Sequence, residues 1–179
     1  MKTLMLAGAM ALAGTVAMAQ PAAPAAGAAP AGPPRTPPPP PARGPAMDLA
    51  LEAAQTAVST CAGNGYKVSA VVVNSAGEPR LVLMADGAPD MTSTIGTRKA
   101  YTAVMLKGRT MPLGERIKTD TALDARIKGD PKMITWGGGQ PLMAGGEVVG
   151  AIGVSGAPGG DKDDACTMAA VNKIKDRLQ

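Results

Sequence analysis

The sequence contains no histidine and no phenylalanine, and its aromatic residues are only Tyr66, Tyr101 and Trp136. Without histidine, one chain cannot build a Ser-His-Asp or Cys-His centre, a histidine zinc site or a histidine-ligated haem. Three aromatics are too few for a base-stacking platform, and a formal net charge of +4 is too small to point to nucleic acid. There are two cysteines, Cys61 and Cys166, and they form no CxxC redox motif. The apolar run Leu4 to Val16 falls short of the roughly 20 residues that a membrane span needs.

What the N-terminus does carry is a basic residue, Lys2, then that apolar run, then Ala17-Met18-Ala19. This is the pattern of a secretory signal peptide over 1–19, cut before Gln20. A periplasmic or secreted protein is therefore expected. Residues 20–45 hold eleven of the chain's 17 prolines and only two charges, Arg35 and Arg43. Such a stretch cannot bury a core and reads as an extended, disordered tether. The folded unit is then 46–179, one domain.

Within that unit the patterns alternate. Met47, Leu51, Ala54, Val58 and Cys61 form one apolar stripe, predicting a helix over 47–62 that ends at Gly63-Asn64-Gly65. Lys67–Asn74 and Arg80–Ala85 read as strands of an antiparallel hairpin. A helix follows, capped by Thr92 or Ser93 and running to Lys107, then a polar helix over 113–128 behind Pro112. Pro141-Leu142-Met143, the Gly145-Gly146 turn and Glu147–Val154 make a second hairpin. The last helix, 161–178, carries Cys166, Ala170, Ile174 and Leu178 at spacing four, with Asp161 and Asp164 as an approximate capping box. Two hairpins between helices predict an α+β fold with a mostly antiparallel sheet.

Four groups of residues can carry chemistry. Cys61 and Cys166 each sit on the apolar stripe of a terminal helix, and export permits a disulfide between them; the alternative is two buried thiols. The loop Ser155–Gly160 lies between a strand and a helix, but no Walker lysine follows and Asp161, Asp163 and Asp164 oppose a phosphate there. Those aspartates complement the helix dipole, or hold a hard cation. Arg98, Lys99, Lys107 and Arg109 can hold a carboxylate, or form a solvated helix face. Of the methionines, Met91 lies in a loop, where a thioether can ligate a soft metal or haem iron.

From about Met47 to Leu178 the chain resembles the GlcG/HbpS-like family, which includes the C-terminal domain of PduO-type proteins. Asp86-Gly87-Ala88, Lys99-Ala100-Tyr101-Thr102-Ala103, Gly138-Gly139-Gln140-Pro141-Leu142 and the run Gly145 to Asp161 carry the likeness. The resemblance implies a five-stranded antiparallel sheet flanked by helices, homo-oligomers, and a small-molecule ligand, haem first among them. Related sequences carry a His-Thr pair after the Asp-Gly-Ala loop; here it reads Met91-Thr92. Haem iron then falls to Met91, to the hydroxyl of Thr92 or Tyr101, or to a subunit interface. Arg98 and Lys99 would hold its acidic groups, and Gly137, Gly138 and Gly139 would let backbone approach closely. Two other roles follow. One is an enzyme-like role on a small organic acid, with Asp86, Lys99 or Tyr101 as acid or base. The other is a structural oligomerisation or interaction module.

Overall fold

A computed structural model of the chain describes residues 41–179; the expected signal peptide and most of the expected tether lie outside them. The elements are α1 (Met47–Gly63), β1 (Ser69–Asn74), β2 (Pro79–Met84), α2 (Met91–Met105), α3 (Leu113–Arg116), α4 (Thr121–Gly129), β3 (Gly139–Ala144), β4 (Glu147–Ser155) and α5 (Gly160–Ile174), with a short 3-10 turn, Lys175–Arg177, at the end. The sheet order is β2-β1-β4-β3 and every pairing is antiparallel.

The α+β architecture matches the expectation, but the sheet has four strands among the described residues, not five. The stretch before β3 does not supply the fifth, because its amides bond to side chains. The Lys132 N–H goes to Asp130 Oδ1 and the Ile134 N–H to Thr102 Oγ1. The predicted helix over 113–128 is two helices. Asp120 separates them, its carboxylate accepting the Leu123 N–H and so capping α4. The capping box at α5 does not form either. Gly159 is the N-cap, and Asp164 turns to Arg109 and Gln140 instead. The last residues of the expected tether pack on the domain. Pro45 is buried, and the Arg43 carbonyl accepts the Ser75 N–H.

Alternation along the strands sorts the core into two layers. Ala70, Val72, Ile152 and Val154 face α1 and α5, whereas Val71, Val73 and Ala151 face α2. α1 buries Ala50, Ala53, Ala54, Ala57 and Cys61, while Met47 and Leu51 of the expected stripe remain exposed. The buried face is the narrow alanine one, and it lets α1 and α5 lie close. Cys61 and Cys166 meet there in a disulfide, with Cα atoms 5.7 Å apart. On the other face, α2 lies against β4 at Gly96 and Gly153. A Cβ on Gly153 would overlap the Gly96 carbonyl, so this approach requires glycine.

Candidate functional site

Lys99 is the residue around which the site is built. It lies on the sheet-facing side of α2 and is only 2% exposed. A buried ammonium needs its donors satisfied. Its Nζ donates to Asp163 Oδ2 at 2.7 Å and to the Val154 carbonyl at 2.8 Å. Asp163, 3% exposed, uses its other oxygen to accept the Ala157 N–H at 3.0 Å. The pair therefore ties α2 to the end of β4, to the glycine loop and to the first turn of α5. Burial pulls the Lys99 pKa below its ordinary value, against the field of Asp163. Burial likewise raises that of Asp163, against Lys99 and the Ala157 N–H.

Gly138 packs over this pair. Its φ is +108°, and a Cβ there would come within 2.7 Å of Asp163 Cβ and of the Val154 oxygen. Gly137 and Gly139 are pressed in the same way against Gly160 and the Lys99 backbone. Close backbone approach is what Gly137–Gly139 provide, as expected, but to the protein's own helices rather than to a ligand.

Above the pair lies a cleft of about 380 Å³. Pro89, Met91 and Ile95 form one wall, and Ser155 to Gly160 much of the other. Trp136 stands at the side, and Lys99 and Asp163 lie at the floor. Met91 is 65% exposed and Trp136 56%, so a thioether and an indole face solvent beside an apolar wall. Lys67 lies behind the glycine loop. Its backbone oxygen packs against Gly156 and its ammonium lies beside Gly87.

The structure thus brings together Met91, Thr92 and Lys99, but not on the terms expected: Met91 is the first residue of α2 rather than a loop residue. Thr92 is 5% exposed. Its hydroxyl donates to the Pro89 carbonyl and lies 2.6 Å from Ser69 Oγ, which must then be the donor of that second bond. Its hydrogen is spent inside the protein. Lys99 spends two of its three N–H donors on Asp163 and Val154, and its charge is balanced by Asp163. Arg98 faces away from the cleft and donates to the Met133 carbonyl. Tyr101 donates its hydroxyl to Asp130 at 2.8 Å and is also outside the cleft. That bond holds its phenol pKa above the ordinary value, which suits neither base nor ligand. Of the candidate acids or bases, Lys99 lies at the cleft and Tyr101 outside it. The residues that sequence reasoning missed are Asp163, Ile95 and Trp136. Asp163 and Lys99 are 64 residues apart, with no local pattern linking them.

Residues 46–172 match the family model described as haem degrading protein HbpS-like. The chain belongs to the HbpS-like family. Its fold is similar to the crystal structure of HbpS, with a TM-score of 0.66 and 33% identity over 72% of this chain and 89% of that one. A double mutant of Streptomyces reticuli HbpS gives a TM-score of 0.69 and 31% identity, over 80% of this chain and 97% of the other. A complex of PduOC with heme shares the fold at a TM-score of 0.64 and 22% identity, over 75% of this chain and 96% of that one. An uncharacterised protein of the dhaT-dhaS intergenic region of Citrobacter freundii is 31% identical over 86 residues, 48% of this chain. The aligned part spans 61% of that protein's length. Among the described residues no helix is long and apolar enough to cross a membrane, and no cluster of three or more His, Cys, Asp or Glu side chains is placed to hold a metal ion.

Proposed function

We propose that this HbpS-like protein binds haem in the Met91 cleft, with the Met91 thioether as the protein's iron ligand. The observation that carries the reading is the exposed thioether of Met91 set against an apolar wall of Ile95, Pro89 and Trp136. The donor chemistry fits the group. Thioether sulfur is an established axial ligand of haem iron. With no histidine in the chain and Thr92 spent internally, Met91 is the soft donor that the cleft presents. Ile95 and Trp136 offer apolar surface to a flat macrocycle. Bound haem would supply a redox-active iron. The chain's own residues would orient it and exclude water from one face. The family description and the PduOC complex with heme support the reading.

Titrating the purified protein with ferric haem tests this. A saturable Soret shift at one haem per chain is expected, weakened about tenfold or more in Met91→Ala, the loss of one good ligand-strength contact. No saturable shift, or an identical titration in the variant, would overturn it.

We propose in addition that the protein is exported and associates with itself. The disulfide supports export, because such bonds persist in oxidising compartments and are rare in the cytosol. Protein recovered from the periplasm or medium should begin at Gln20 by mass; a chain retained in the cytosol with Met1 intact would sink the idea. Self-association rests on the resemblance alone and is read by sedimentation of the same sample.

A further inference from the structure

A second groove, sharing no residue with the Met91 cleft, runs between α2 and the turn that joins β1 to β2. Its volume is about 430 Å³, within the roughly 300–1,000 Å³ common for small-molecule sites. Thr97, Arg98 and Tyr101 enter it from α2, Gly77 and Pro79 from the hairpin, and Lys132 from the segment after α4. The groove floor is shaped by the Tyr101 ring, which lies against Gly77 so closely that a Cβ there would sit 2.5 Å from Cδ2.

Two cations meet here without ion-pair partners. Arg98 is half-buried, and its Nη2 donates to the Met133 carbonyl at 2.9 Å. Its Nε–H is enclosed with no acceptor. Lys132 Nζ stands 5.6 Å from the centre of the Tyr101 ring. Among the described residues no carboxylate lies within ion-pair distance of either side chain. Two carboxylates stand nearby: Glu78 lines the groove itself, and Asp130 feels the charge of Lys132 without forming an ion pair with it. Asp130 accepts the Tyr101 hydroxyl and the Lys132 N–H, and Glu78 accepts the Asn74 side-chain amide. A partly desolvated guanidinium without an ion-pair partner is costly, and an anion in the groove would give its remaining terminal N–H groups a charge-assisted hydrogen bond.

We propose that this groove binds a small carboxylate with an apolar body. Arg98 and Lys132 would receive the carboxylate, and Tyr101 and Pro79 would cover the body. The site is independent of the haem cleft and stands or falls without it.

Benzoate is a suitable probe, with benzamide as its uncharged counterpart. In the purified, isotopically labelled protein, benzoate should shift the amide resonances of Gly77, Thr97 and Lys132 in a saturable way, and benzamide should not. Lys132→Gln, at an exposed position, should weaken the apparent affinity about tenfold, the scale of one charged hydrogen bond. Arg98→Gln should weaken it further, and the haem titration of both variants should be unchanged. Equal shifts from benzamide, shifts confined to other residues, or full benzoate affinity in Lys132→Gln would each overturn the proposal.

Discussion

Lys99 and Asp163 are both enclosed, and each charge is tolerated because the other is there. Removing one partner leaves a bare buried charge, whereas removing both leaves only a packing change. Asp163→Ala should therefore destabilise the protein by about 3–5 kcal/mol, and Lys99→Met by a similar amount, while the double variant Lys99→Met with Asp163→Leu should recover most of the loss. Urea unfolding of the three variants measures this; additive losses in the double variant would show that the pair is not coupled. The same pair gives a pH signature. Burial raises the Asp163 pKa above its ordinary 3.8, so just above that pH the native state keeps a proton that the unfolded chain has released. Stability from this residue then falls as pH rises through the window. Burial lowers the Lys99 pKa below 10.5, so just below that pH the unfolded chain holds a proton that the native state has given up, and stability rises with pH there. Both slopes should vanish in the double variant.

At the level of elements, the distance between α2 and the sheet is set by Gly96 and Gly153. The two backbones touch, and β4 carries no side chain at the crossing. Gly153→Ala inserts a methyl where the Gly96 carbonyl sits. It should destabilise by about 3 kcal/mol, the upper end of overpacking costs, because backbone rather than a flexible side chain must move. Thermal melting checks this, and an unchanged midpoint would mean that α2 can slide freely. The strand around Gly153 was legible in the sequence as apolar and β-branched, and its glycines as a sign of close approach. Which backbone approaches was not legible, since Gly96 lies on a helix 57 residues earlier. The split between α3 and α4 was missed for a different reason. The period of apolar residues continues weakly through Lys118-Thr119-Asp120, while the Asp120 cap that interrupts it shows only in three dimensions.

For the whole molecule, the disulfide joins the first helix to the last across a sequence separation of 105. Closing a loop of that size in the unfolded chain is worth about 4–5 kcal/mol in the entropy model. The two helices it joins cover one face of the sheet, and α2 covers the other, leaving the Met91 cleft and the Arg98 groove as two separate openings against α2. The proposed haem site and the proposed carboxylate site should therefore be lost separately by mutation, which is what Met91→Ala and Lys132→Gln are designed to show.

By itself the sequence determined the two hairpins, the outer helices, the place of its only cysteines on the stripes of the terminal helices and the absence of any histidine ligand. Each follows from local period, from turn residues or from composition, which act over a few residues or none. Tertiary structure decided which polar groups are free. Arg98 and Lys99 are neighbours in the chain, yet the turn of α2 sends one to a half-buried groove and the other into the core, where Asp163 waits. Thr92 and Tyr101 looked available and are already bonded. The reason is that burial and hydrogen-bond satisfaction are set by partners dozens of residues away, and spacing along the chain carries no record of them.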